Sequence, residues 1–489
     1  MSVLLAIDQS TSSTKAILFD AECRTIDSAS VDHRQHYPEP GWVEHDAEEI
    51  WRNVLAVTRT VVDRNPGSPP VGVSITNQRE TLVVFDKATG RPLCPAIVWQ
   101  CRRSDPICEE LRQAGHGEIV AAATGLKLDS YFSASKVLWL VRNNPDVARK
   151  LASGEALIGT VDAYLVYRMT GGDVFATDHT NASRTLLLHL TDRCWDQRLC
   201  ELFQAPMAAL PEVRESFAHF GNTDLGGALM EPAPICGVMG DSQASLFAQR
   251  CFTPGESKAT FGTGTSVLRN VGDCSTAPPG GSVAALAWVH DGTPTYAWEG
   301  LINYSAATIT WLRDQLGLIA TAEESEALAA QVDDSGGVYL VPAFAGLGAP
   351  HWSPDARAAI VGMTAYTNKL HIVRAALESI AHQVRDVLDS MPLDASSAGV
   401  LRADGGATRN QLLMQMLADF TRLRVEVADA ADFSARGAAM AGLLGLGIVE
   451  SFDELRHLPA DVTNYEPRMP AEQADKLGAG WRDAVRRVL

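Results

Sequence analysis

Arg79 and Glu80 stand side by side after an apolar run, a fork of N–H donors next to a carboxylate that only accepts. Such a pair can hold hydroxyl groups, each of which donates and accepts, although on its own it also reads as a surface ion pair. Trp99 and Tyr131 would add an apolar wall and a phenol, unless Trp99 is simply core. Two tips of small residues, around Ser10-Thr11-Ser12-Ser13 and around Gly262-Thr263-Gly264, let amides and hydroxyls approach phosphate oxygens closely. Thr11, Ser12 and Ser13 supply donors in one and Thr263 in the other. Either alone is an ordinary hairpin turn; paired at matching positions they point to a polyphosphate such as that of ATP. Asp8 lies at the edge of the first tip, where a carboxylate beside polyphosphate repels unless a divalent cation intervenes. Mg²⁺ held through its waters would serve, and a turn Asp bonded to its own backbone is the plain alternative. Asp241 falls at a strand-to-helix corner, in Gly240-Asp241-Ser242-Gln243 after the apolar stretch 235–239, where an isolated Asp is usually an N-cap.

These residues need elements to hold them. Residues 4–7 are apolar, 8–14 polar and small, and 15–19 mostly apolar before a turn at Asp20-Ala21-Glu22, which reads as a hairpin. Asp46 with Glu49, then Ile50, Val54, Val57 and Val61, reads as a capped amphipathic helix, followed by a strand over 71–75. The second half opens the same way: strand-like 257–261, a small-residue turn, and a strand resuming at 267–270. Ile372, Ala376, Ile380, Val384 and Val387 recur at helical spacing, and Asp404-Gly405-Gly406-Ala407 precedes a further helix over 410–420.

A chain of 489 residues is about twice the size at which one core stops growing, so two domains are expected, 1–248 and 249–489, with a ligand cleft between them. The net charge of −18, without long runs of Lys or Arg, excludes the footprint of a nucleic-acid binder. Nine cysteines show no metal-ligand spacing and read as reduced thiols. The N-terminus lacks the basic residues of a signal peptide, and the richest apolar stretch, 438–449, is broken by Gly442, Gly445 and Gly447, so no membrane span is expected and a cytoplasmic protein is. The glycosylation-like Asn181-Ala182-Ser183 is then incidental.

Residues 131–143, with Lys136, Trp139 and Asn143, resemble the first signature of the carbohydrate kinase family that includes glycerol, xylulose, ribulose and gluconate kinases. Residues 358–378 resemble the second, through Gly362-Met363, His371-Ile372 and Ala375-Ala376-Leu377-Glu378. Two long patterns in order are far more specific than one short motif. Within that family the likeness is to the glycerol kinases, in Thr76-Asn77-Gln78-Arg79-Glu80-Thr81, Ile97-Val98-Trp99-Gln100-Cys101-Arg102-Arg103, Thr177-Asp178, Thr180-Asn181-Ala182-Ser183-Arg184-Thr185 and Gly346-Leu347-Gly348-Ala349-Pro350.

The resemblance implies an α/β fold of two actin-like ATPase (ribonuclease H-like) domains, with the polyol site on the first and most of the nucleotide site on the second. It implies ATP-dependent phosphorylation of a terminal hydroxyl, with Mg²⁺ organised at Asp8 and Asp241 as general base. Arg79, Glu80, Tyr131 and Asp241 would hold the polyol, with Trp99 behind it, while Thr263, Gly406 and Asn410 contact the nucleotide. Homodimers and homotetramers are common in the family.

Some positions depart from the pattern. Ser242 stands where glycerol kinases usually have Gln, and Ser266 where they have Phe, which removes volume from the acceptor pocket. A tetritol such as erythritol or threitol then becomes the rival acceptor, unless Gln243 turns inward to refill the space. On the nucleotide side Ala306 and Thr310 replace Gly and Gln, and Ser10 and Lys15 replace Gly and Arg; lysine keeps the charge without the planar fork. The allosteric sugar-bisphosphate pattern is not recognisable in 226–231. An actin-like module that binds polypeptides is a rival of another class, disfavoured because nothing resembling a peptide-binding β-domain follows.

Overall fold

The computed structural model describes residues 2–278, 280–392 and 399–489. Two large sheets carry the molecule. The first runs, from edge to edge, His219–Thr223, Ala233–Gly240, Gly72–Asn77, Val3–Gln9, Ser13–Asp20 and Thr25–Asp32. The second runs Val283–His290, Thr293–Ile302, Thr265–Gly272, Ser257–Phe261, Val400–Gly405, Arg424–Ala428 and Val462–Tyr465.

Both obey one plan. A hairpin, Val3–Gln9 with Ser13–Asp20 or Ser257–Phe261 with Thr265–Gly272, opens each half. Its first strand then pairs in parallel with the strand ending at Asn77 or at Gly405. A second parallel strand follows, Ala233–Gly240 in one sheet and Arg424–Ala428 in the other. The resumed strand of the second hairpin starts at Thr265, two residues before the apolar run suggests, because threonine suits a strand as well as a turn.

Helix Ala47–Arg64 buries Ile50, Val54, Val57 and Val61 against the first sheet, each branched side chain worth about 1.5–3 kcal/mol of burial. Its cap is Asp46, whose carboxylate accepts the Glu48 amide. Helix Lys369–Asp389 plays the matching part in the second half, burying Val373, Ile380, Val384 and Val387.

The halves are not sealed from one another. Helix Phe433–Gly445 packs against strands Val3–Gln9, Gly72–Asn77 and Ala233–Gly240 of the first sheet and against helix Asp241–Ala248. Leu4 and Leu246 thereby share a core with Leu268, Ala439 and Met440. A Cβ on Gly437 would lie 1.8 Å from the Ala244 carbonyl and one on Gly442 2.2 Å from the Ser74 hydroxyl, so only glycine permits this approach. Of the glycines that interrupt the richest apolar stretch, Gly442 and Gly445 are therefore packing residues, whereas Gly447 has open space around it and a positive φ of 65°. Among the described residues no helix is long and apolar enough to cross a membrane.

Candidate functional site

The strands ending in Gln9, Asn77, Gly240 and Phe261 and the one starting at Thr265 all open onto a cleft of about 1660 Å³. Its lining includes Thr11, Ser12, Arg79, Glu80, Trp99, Tyr131, Asp241, Ser242, Thr263 and Ser266. Residues far apart in the chain meet here because parallel strands in open sheets deliver their C-terminal ends to one side.

Arg79 is almost fully buried and is clamped by Glu299, Nη2 to Oε1 at 2.8 Å and Nη1 to Oε2 at 3.2 Å. Gln243 accepts a third bond from Nη1 at 3.1 Å. The Nε of Arg79 makes no hydrogen bond and lies 3.4 Å from Asp241 Oδ1 and 3.5 Å from Glu80 Oε1. Glu80 is held from the other side by Arg184 Nε at 2.8 Å, and Arg184 also pairs with Glu299 at 2.7 Å. Two guanidinium groups and two carboxylates therefore balance in the interior, which burial demands. Burial alone would raise Glu299; Arg184 and Arg79 overcome it and hold the carboxyl down at about 2. The Arg79-Glu80 pair is thus not a surface ion pair but half of a buried quartet.

Lys136 of the first signature is fully buried and donates to the carbonyls of Ser130, Tyr131 and Phe132, fixing the loop that presents Tyr131. Burial, and next the charge of Glu80, push the Tyr131 phenol well above its ordinary pKa, so it remains a donor at neutral pH. Its ring lies 5.2 Å from that of Trp99, whose indole donates to the Thr11 hydroxyl at 2.9 Å. Tyr131, Trp99 and the first tip are thereby tied together.

Asp241 is the first residue of helix Asp241–Ala248, with Gly240 as the N-cap. Its carboxylate accepts the Ser242 amide at 2.6 Å and stays accessible in the cleft, its side chain 39% exposed. Ser242 and Ser266 line the cleft as small groups, Ser266 Oγ lying 3.3 Å from Glu299. Gln243 does not refill the space: it is fully buried, bonded to Arg79 and to the Leu286 carbonyl.

Asp8 is buried opposite Lys15 in the hairpin register. Burial raises its carboxyl to about 7, against the pull of Lys15 and with help from the charges of Asp241 and Asp432. Lys15 is itself tied to Asp432 at 2.7 Å. Ser13 is buried, with its backbone amide on the Ser10 hydroxyl. On the opposite wall the Thr263 carbonyl accepts the amides of Ser305 and Ala307, which sets Ala306 and helix Ala307–Asp314 against the tip, with Thr310 exposed on that helix. Gly406 opens a short 3-10 turn after strand Val400–Gly405, and Asn410 caps helix Gln411–Thr421 by accepting the Leu413 amide. Asp8, Ser13, Lys15, Ala306, Thr310, Gly406 and Asn410 are not among the described residues that line the cleft.

Glu299 and Arg184 were not singled out from the sequence as site residues. Arg184 sits inside Thr180-Asn181-Ala182-Ser183-Arg184-Thr185, and Glu299 is a lone carboxylate in the strand Thr293–Ile302; that interruption is the available signal.

Duplicated sheets, paired tips and a buried charge cluster with one accessible carboxylate in a shared cleft are the architecture of the actin-like ATPase class. The N-terminal domain of the FGGY family of carbohydrate kinases matches residues 3–248 and the C-terminal domain residues 258–446. Glycerol kinase 1 of Thermotoga maritima is 45% identical over 99% of both chains. A glycerol kinase of Halorhodospira halophila is 46% identical over 99% of this chain and 96% of its own. The crystal structure of Plasmodium falciparum glycerol kinase with ADP superposes with a TM-score of 0.94 at 35% identity, covering 100% of this chain and 98% of that one. The chain belongs to the FGGY family of carbohydrate kinases.

Proposed function

We propose that the protein uses ATP to phosphorylate a terminal hydroxyl of glycerol, giving sn-glycerol 3-phosphate and ADP. The observation that carries this reading is the buried quartet of Arg79, Glu80, Arg184 and Glu299, with Asp241 accessible at its edge and a Gly-Thr-Gly tip on the facing wall. Full-length relatives named glycerol kinase support glycerol as the acceptor.

On this reading Arg79 and Glu80 bind neighbouring hydroxyls by complementary donor and acceptor character, and Trp99 and Tyr131 cover the carbon skeleton. Asp241 takes the proton of the terminal hydroxyl as its oxygen forms a bond to the γ-phosphorus and the bond to the bridging β–γ oxygen breaks. The Arg79 guanidinium at 3.4 Å orients that carboxylate. Thr11, Ser12 and Thr263, on the cleft lining, donate to phosphate oxygens, Ser13 shapes the first tip from behind, and Lys15 adds positive charge, while Ala306, Thr310, Gly406 and Asn410 serve the nucleotide from beyond that lining.

Asp8 is the residue that fits Mg²⁺: a buried carboxylate raised to about 7 beside other acids is relieved by a cation. Among the described residues no three His, Cys, Asp or Glu converge into a cage, so Asp8 would hold the ion through its waters. When bound, Mg²⁺ would offset phosphate charge.

We assign the polyol site to 1–248 and most of the nucleotide site to 249–489. We read the protein as cytoplasmic, acting on a small polyol as a homodimer or homotetramer.

The small side chains of Ser242 and Ser266 favour a second reading, a tetritol kinase. An ADP-release assay with Mg-ATP decides between them, comparing kcat/KM for glycerol, erythritol, both threitols, xylitol, dihydroxyacetone, xylulose and gluconate. Glycerol is expected to lead; a leading four-carbon acceptor makes the two serines the specificity switch, and turnover independent of any polyol sinks both readings.

A further inference from the structure

Lys258 is 1% exposed, an ammonium in the interior whose one hydrogen bond among the described residues is to Thr260 Oγ1 at 2.9 Å. An ammonium can only donate, so the Thr260 hydroxyl keeps its proton for its other neighbour, Ser245 Oγ at 3.3 Å. Ser245 in turn donates to Asp404 Oδ2 at 2.9 Å, where Gln249 also donates at 2.9 Å. Every proton in the chain therefore has one direction, from a cation to a carboxylate. Charge at both ends strengthens each bond, and the buried setting raises the effect. Ser245, Gln249 and Asp404 are all at most 5% exposed, and the only open link is Thr260, on the cleft wall. Burial pulls the Lys258 ammonium below the ordinary lysine pKa, opposed first by the charge of Asp404 and then by that of Glu299.

The relay stitches together three elements, each with one end at the site. Helix Asp241–Ala248 begins with Asp241, strand Ser257–Phe261 runs into Gly262-Thr263-Gly264, and strand Val400–Gly405 runs into Gly406. Thr260 and Asp404 are register partners, with Phe261 and Gly405 the next pair toward the cleft.

We infer that Lys258, Thr260, Ser245 and Asp404 form a positioning relay that sets the distance from Asp241 to the phosphate-facing tip. This rests on the proposed function for the roles of Asp241 and the tip. Lys258 acts through the relay, not on the substrate. A base and a phosphoryl group displaced by about 1 Å can lose on the order of 10²-fold in rate while ligands still bind.

Thr260→Val breaks the relay next to the ammonium, Ser245→Ala breaks it at the far joint, and Thr260→Ser restores the hydroxyl. In the full-length protein, Thr260→Val and Ser245→Ala are expected to lower kcat for the best acceptor about 10- to 100-fold, with acceptor affinity changed by no more than about twofold. Amide hydrogen exchange over 262–264 and 405–406 should quicken in both, and Thr260→Ser should return rate and exchange toward wild type. Unchanged kcat and exchange in Thr260→Val, or a Thr260→Ser variant as impaired as Thr260→Val, overturns the relay. If the wild type turns over no polyol, the functional reading fails, and the exchange comparison still decides whether the relay holds the tips.

Discussion

The two hairpin tips occupy the same place in two copies of one sheet plan, yet they are built differently. In the first, side chains do the work: the Ser10 hydroxyl donates to the Ser13 carbonyl, the Thr11 hydroxyl takes the Trp99 indole, and Ser12 is left exposed. In the second, the backbone does it: Gly262 donates to the Gly264 carbonyl, and a Cβ on Gly264 would stand 2.2 Å from the Ile302 carbonyl. A tip made of side chains can lose one donor and keep its path, whereas a tip made of close-packed backbone cannot take one more carbon.

Asp241 lines the same cleft as both tips and belongs to neither, so it sets the ceiling against which both are judged. Asp241→Asn is expected to fold normally and to lose about 10²- to 10⁴-fold in kcat, the usual worth of a positioned base. Near-wild-type turnover would remove the base assignment. Gly264→Ala should come next, with kcat/KM for ATP down about 10²-fold because the backbone at the tip must move. Ser12→Ala removes one exposed donor and should cost about tenfold in the same constant, the scale of one hydrogen bond to a charged group. Equal losses in the last two variants would erase the distinction between the tips.

The smallest effect is on stability and falls on the first tip alone. The Asp8 carboxyl is raised from about 3.8 to about 7, first by burial. The folded state therefore holds a proton that the unfolded chain releases, so the Asp8 contribution is complete below the unfolded value and is lost as pH rises through 7. Asp8→Asn stays neutral throughout, and without nucleotide or Mg²⁺ it should melt a few degrees above wild type at pH 8, the gap narrowing at pH 5. Parallel melts at both pH values would show that the carboxyl is not raised.

Much of this was legible in residue types. The paired openings were visible because strand and turn composition is local, and the Asp46 cap because a short acceptor before an amphipathic run has few other uses. What stayed hidden was partnership across long intervals. Arg79 with Glu299 and Lys15 with Asp432 join the first half of the chain to the second, and nothing in either neighbourhood specifies the other.

The repeated strand and helix plan, the small residues at both tips and the family signatures are written into local stretches of the chain, since periodicity, turn chemistry and spacing are properties of short segments. It took the folded arrangement to pair Arg79 with Glu299, to set Gln243 behind Arg79 so that the pocket stays open, and to bring helix Phe433–Gly445 across to the first sheet. The physical reason is that buried charges must find partners wherever the fold places them, and the fold, not the chain's order, sets those distances.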